Sequence, residues 1–224
     1  MDALRIAPRM QVAFRAASIT KLYGETVALW DVGLDGRSGE LIGVHGANGS
    51  GKSTLLRIIA GLATPTRGRV SWTTSPPGTR PRIGLLGHAT HLFDELTGIE
   101  NVLLAARLAR YDEATAADLL YALRVADHSG RPTRELSAGT RRRVGLARVL
   151  ATDPDVLLID EPYAGLDGVA ADAVTDILAD STDRGRIVVV ATHDDARTRS
   201  LASRVVRLEH GRAAVSGPVR AFGR

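Results

Sequence analysis

The run ELIGVHGANGSGKSTLLRIIAG, from Glu40 to Gly61, limits what this chain can fold into more than any other stretch. Leu41, Ile42 and Val44 read as a short buried strand after a turn at Glu40. Gly46-Ala47-Asn48-Gly49-Ser50-Gly51-Lys52-Ser53 matches G-x-x-x-x-G-K-[ST], and Thr54 leads into the apolar helical run Leu55, Leu56, Ile58 and Ile59. Glycines let such a loop bend until its N–H groups point inward at a phosphate chain, and the dipole of the following helix adds positive potential there. Lys52 can then reach the β- and γ-phosphates while the Ser53 hydroxyl ligates Mg²⁺. A bare glycine-rich turn would need neither Lys52 nor Ser53. The pattern implies nucleotide binding.

Composition narrows the class. A chain of 224 residues with 44% hydrophobic content can hold one large α/β core. The absence of cysteine excludes a disulfide framework and a thiolate metal site. No apolar run approaches the ~18 residues that a membrane-crossing helix needs, and Arg5, Pro8 and Arg9 interrupt any secretory hydrophobic segment. The expectation is a cytoplasmic protein, not itself inserted in a membrane, that meets one through a partner. The net charge of +4 comes almost wholly from arginine, Lys21 and Lys52 being the only lysines. With 4% aromatic residues, the chain has no aromatic-interleaved basic stretch for base stacking, so no nucleic-acid partner is expected.

In chain order, residues 1–10 read as a loose tail. Gln11 to Ala17 and Thr26 to Val32 read as strands flanking Leu22-Tyr23-Gly24, a turn with an exposed aromatic. Arg69 to Trp72 is a strand, Thr73 to Pro81 a Ser/Thr/Pro/Gly loop, and Arg82 to Leu86 a strand again. Thr97-x-x-Glu100 is a capping box opening a helix with Val102, Leu103, Ala106 and Leu108 apolar. A second helix carries Leu119, Leu120 and Leu123. The span 94–153 is almost all helical and reads as an insertion, after which strand alternates with helix.

Val156-Leu157-Leu158-Ile159-Asp160-Glu161-Pro162 is a buried parallel-strand signal with two carboxylates at its carboxyl end, where open α/β sheets bind ligands. Neighbouring strand residues point to opposite faces, so the acids divide the work. Asp160 is placed to hold Mg²⁺ through water, and Glu161 to act as general base. Leu136-Ser137-Ala138-Gly139-Thr140 opens another helix. Read alone, it is a helix capped by Ser137 with Arg141 to Arg143 solvated; read functionally, it is a second anion site at a helix N-terminus.

The last motif resembles the LSGGQ signature of ATP-binding cassette (ABC) ATPases, and it stands between the phosphate loop and the Asp-Glu strand as in that family. The resemblance runs from about Val12 to Val215. It implies an α/β fold: a P-loop NTPase core with a mostly parallel sheet, an N-terminal antiparallel β subdomain and an inserted small helical subdomain. The core is then approximately 11–93 and 154–224, and the helical insert 94–153. Tyr23 looks like the aromatic that stacks on adenine, Ala164-Gly165-Leu166-Asp167 resembles the D-loop, and His193 in Thr192-His193-Asp194 looks like the switch histidine. The resemblance further implies ATP and Mg²⁺ as cofactors, membrane-spanning permease subunits as partners, and a dimer of nucleotide-binding domains. In that dimer Ser137 and Gly139 serve the other copy's nucleotide. The protein would then sit on the cytoplasmic face of the cell membrane.

Three motifs depart from the family pattern. Leu85-Leu86-Gly87-His88 aligns with the Q-loop, with His88 in place of glutamine near water, metal and phosphate. Ala138 and Thr140 differ from the usual signature residues, and Gly165 from the usual D-loop residue. Leu-Gly-His, then Glu95-Leu96-Thr97-Gly98-Ile99-Glu100-Asn101, and Leu-Ser-Ala-Gly before an arginine run, are similar to the ATP-binding subunit of the cytochrome c maturation haem exporter. A drug, lipid or peptide exporter of the same compact type is the alternative, and a soluble non-transport ABC ATPase the second.

Overall fold

The computed structural model describes residues 9–193 and 195–214. Most of the expected N-terminal tail, Asp194 and the chain from Val215 onward lie outside them.

Two sheets form the frame. β1 (Gln11–Tyr23) pairs antiparallel with β2 (Thr26–Arg37) on one side and with β4 (Arg67–Ser75) on the other. The larger sheet has the order β5 (Ile83–Leu86), β6 (Val156–Asp160), β7 (Ile187–Thr192), β3 (Leu41–His45), β8 (Arg204–Glu209) and β9 (Arg212–Ala214). Its first five strands run parallel, and β9 closes the edge antiparallel. The expected fold class stands: an antiparallel N-terminal sheet beside a mostly parallel one.

Burial follows the sequence pattern. Every residue of β3, β6 and β7 is buried, as continuous apolar runs require when both faces of a parallel sheet are covered. β1 alternates, with Val12, Phe14 and Ala16 inward. Register shifts beyond Ala16, with Ser18 at a φ of 50°, return Ile19 to the core. β1 and β2 therefore run longer than expected, because bulges repair the broken alternation that marks their apparent ends. β4 likewise continues to Ser75, into the expected loop, its backbone paired to β1 as far as Gln11. Tyr23 ends β1, and Gly24 at a φ of 58° supplies the tight turn to Thr26.

The helices that matter for the site begin at strand ends. α1 (Lys52–Ile59) follows β3 directly, and buries Leu55, Leu56, Ile58 and Ile59 against the sheet. α2 (Gly98–Ala109) starts at the expected capping box, with Thr97 Oγ1 accepting from Glu100 N and the Glu100 carboxylate accepting from Thr97 N. α3 (Thr115–Ala122) and α4 (Ala138–Leu150) follow, joined by two short 3₁₀ turns. α5 (Gly168–Asp183) and α6 (Asp195–Leu201) cross back between β6, β7 and β8.

At the far end of the sheet, Asp153 accepts from Arg9 and, at 2.8 Å, from Arg186, whose Nε donates to Pro154 O at 3.0 Å. Burial first, then repulsion by Arg186 at Arg9 and by Arg184 at Arg186, lowers the pKa of each to about 10, leaving both charged at neutral pH. This cluster fixes the entry of β6, whose other end carries the site. Leu157 in the middle of β6 is fully buried. Leu157→Ala is expected to destabilise the fold by roughly 2–5 kcal/mol, measured as a drop in the denaturant midpoint at unchanged slope.

Candidate functional site

The carboxyl ends of β3, β6 and β7 meet the first turn of α1. The loop Gly46–Gly51 turns through Gly49 at a φ of 79° and Gly51 at 102°. A Cβ at Gly46 would lie 2.3 Å from Leu208 O, and one at Gly51 2.5 Å from Ala28 O, so backbone from β8 and β2 packs against the loop where it bends. Asn48 and Gly49 are exposed, Ser50 is buried, and Thr54 is half-buried in the first turn of α1. Gly46 to Ser50, His193 and the turn Leu208 to His210 line an open cavity of about 380 Å³.

Lys52 is 6% exposed, and its Nζ donates to Gly46 O at 2.7 Å and Ala47 O at 3.0 Å while standing 3.9 Å from Glu161 Oε1. Ser53 Oγ donates to Asp160 Oδ2 at 2.5 Å. A hydroxyl and a carboxylate held together at a phosphate loop are hard oxygen donors that fit Mg²⁺, which keeps part of its water shell and takes few protein ligands.

Glu161 needs a correction of mechanism. The strand stops at Asp160, and Glu161 has a φ of 52°, in the left-handed region. The two acids part company because the chain curls there, not because a pleat alternates. Glu161 Oε2 accepts from the Thr192 hydroxyl at 3.0 Å and lies 2.9 Å from His193 Nδ1, while Oε1 accepts from His193 N at 3.1 Å. β6 and β7 are adjacent, so Glu161 meets the end of β7 with one side chain and one backbone donor fixed. Thr192 is a site residue that the sequence reading passes over, its only signal being its place before His193.

Arg142 is the larger omission. The sequence expects Arg141 to Arg143 solvated; Arg142 is 6% exposed and donates to the carbonyls of Asp160, Glu161, Gly87 and His88. Burial lowers its pKa, opposed by the Asp160 and Glu161 charges. Arg141 instead reaches Thr133 O and Asp94, and Arg143 the carbonyls of Leu123 and Arg124. All three arginines bind backbone oxygen, a use that helical spacing does not reveal.

Other expected residues lie apart. Ser137 is exposed and caps α4, its Oγ accepting from Thr140 N at 3.2 Å. A Cβ at Gly139 would meet Gly165 O at 2.6 Å, so the start of α4 packs on the Ala164–Asp167 loop. Asp167 is exposed and caps α5 by accepting from Ala170 N. Neither Ser137 nor Asp167 lines the cavity over the phosphate loop. His88 is exposed and lines a separate groove of about 500 Å³ with Leu92, Asp94, Ala138, Arg141 and Ala164. Half of the Tyr23 surface is exposed, with Lys21 Nζ 4.9 Å from its ring centre.

A phosphate loop on a parallel sheet, with paired acids at the end of the next strand but one, defines the class: a nucleotide-binding protein of the P-loop kind. Comparison with known proteins narrows it. The model of the ABC transporter family matches residues 29–164. The sulfate/thiosulfate import ATP-binding protein CysA 2 of Rhizobium meliloti is 36% identical over 210 residues, covering 88% of this chain and 57% of that protein. The methionine import ATP-binding protein MetN of Caulobacter vibrioides is 35% identical over 222 residues, covering 93% of this chain and 67% of that protein. The ATP-binding cassette MJ0796, solved as a dimer in a post-hydrolysis state with ADP and Pi, superposes with a TM-score of 0.84 at 29% identity over 93% of this chain. This chain belongs to the ABC transporter family. It spans less than two thirds of the length of CysA 2. Both curated relatives are named for import, not for export.

Gly46→Ala is expected to weaken binding of a fluorescent ATP analogue at least tenfold, about 1.4 kcal/mol, because Leu208 O blocks the added methyl. Titration by fluorescence anisotropy measures it.

Proposed function

We propose that this chain binds ATP and hydrolyses it with Mg²⁺ to drive transport through separate membrane-spanning permease subunits. The observation that carries the reading is the pairing of Ser53 with Asp160 on one side of Lys52, and of Glu161 with Thr192 and His193 on the other. Residues 46–54 would cradle the phosphates, with the Lys52 ammonium on the β- and γ-oxygens and Tyr23 on the adenine. Ser53 and Asp160 would hold Mg²⁺, which when bound neutralises phosphate charge. Glu161 takes the proton of the attacking water, whose oxygen bonds to the γ-phosphorus as the bond to ADP breaks. His193 holds the carboxylate and touches the γ-phosphate.

Ser137, Gly139 and Asp167 do not line this chain's own cavity, which supports a head-to-tail dimer in which they meet the other copy's nucleotide. In this reading 11–93 and 154–224 form the ATP-binding core and 94–153 the helical subdomain. Permease subunits would hold the domain on the cytoplasmic face of the membrane. The groove beside His88 opens between core and helical subdomain, so that His88 would sense both metal-bound water and partner.

For cargo and direction, two readings rest on different observations. The local sequence around His88 and Glu95 to Asn101 favours haem export in cytochrome c maturation. The names of CysA 2 and MetN favour import of a small anion or amino acid. Purifying the tagged chain with its membrane partners separates them: cytochrome-assembly subunits carry the first, a sulfate or methionine permease the second.

Glu161→Gln is expected to lower the turnover rate by about 10²- to 10⁴-fold while ATP still binds and drives dimerisation, followed by phosphate release and light scattering. His88→Gln is expected to raise the turnover rate, measured as steady-state phosphate release.

A further inference from the structure

In an extended strand successive carbonyls point in opposite directions. The carbonyls of Asp160 and Glu161 do not: both accept from one guanidinium, with Arg142 Nε donating to Glu161 O at 2.7 Å and Nη2 to Asp160 O. Their convergence follows from the left-handed φ of 52° at Glu161, a conformation costly for a residue with a side chain unless its surroundings impose it. The same torsion aims the carboxylate at Thr192 and His193. Arg142 Nη1 faces the other way, 3.3 Å from both Gly87 O and His88 O. Those residues follow β5, whose Leu86 pairs with Ile159 of β6, so two neighbouring strands end under one planar cation. That cation stands on α4, only a few residues from Ser137.

We propose that Arg142 is a positioning residue of the hydrolytic site, clamping the ends of β5 and β6 so that Glu161 stays in the curled conformation from which it meets His193 and the attacking water. The guanidinium suits the task because its planar fork offers five donors and no acceptor. Among the described residues its hydrogen bonds go to backbone oxygens alone, so it sets the geometry of Glu161 without competing for the carboxylate. It also joins three pieces that the sequence keeps far apart: the His88 segment, the acid pair and the helix behind Ser137. A displacement of the His88 segment pulls on the peptide that aims Glu161. This rests on the reading of Glu161 as the general base.

The test compares Arg142→Met, which keeps length and loses every donor, with Arg142→Lys, which keeps a charged donor. Arg142→Met is expected to lower kcat by about 10²-fold, the scale of a misplaced catalytic group, with ATP affinity within about twofold of the parent. Arg142→Lys should recover part of the rate. Combined with Glu161→Gln, Arg142→Met should lower single-turnover hydrolysis no further, because both act through one carboxylate. Parental kcat in Arg142→Met, an equal loss of affinity and rate, or an additive loss in the double variant overturns the proposal. If Arg142→Met does not fold by circular dichroism, Arg142→Gln is judged by the same three criteria. Retained turnover in Glu161→Gln alone would instead overturn the base assignment, so the two failures are distinguishable.

Discussion

An ammonium taken out of water must be met by oxygen, and in this fold the buried Lys52 sets the terms for everything around it. Its partners are two carbonyls of its own loop and, at longer range, one carboxylate. For those carbonyls to turn inward the loop must bend through left-handed glycines, and for the bend to hold, the backbones of β2 and β8 must press against it. The carboxylate has to arrive at the end of a different strand, which needs β6 beside β7 and β7 beside β3. The two-sheet architecture is the means of bringing these oxygens to one cation.

In the proposed function, phosphate affinity and water activation are separated by very little distance but by different physics. On one side Ser53 and Asp160 form a compact oxygen pair suited to a hard cation. On the other, Glu161 is held by a hydroxyl, a backbone N–H and an imidazole, all from the end of β7. A single residue with an uncommon torsion makes the division, and a buried arginine braces it from behind. The acids therefore act in different directions although they are consecutive in the chain.

Much of this was legible in the residues themselves. The phosphate loop, the buried strand ending at Asp160, the capping box at Thr97 and the serine cap at Ser137 each carry local chemistry that dictates local geometry, and the structure places these as read, Glu161 alone curling past the strand end. What escaped was non-local. Nothing in the alternation of β1 announces the bulge that extends it. The Arg141–Arg143 run looks like a solvated surface because helical spacing tells which face a residue occupies, not which carbonyls wait there. The Glu161 carbonyl is held by Arg142, nineteen positions earlier in the chain. Transport direction lies further still from the sequence, since the local likeness to an exporter and the import names of two relatives point opposite ways.

The contact of Gly139 with Gly165 has a mechanical meaning. The Gly165 backbone packs where a side chain at Gly139 would stand, with the Leu166 side chain beside it, so a shift there has little room. The serine cap of α4 and the aspartate cap of α5 thus sit on one stiff rim, and a tilt of either helix carries the other's first turn with it.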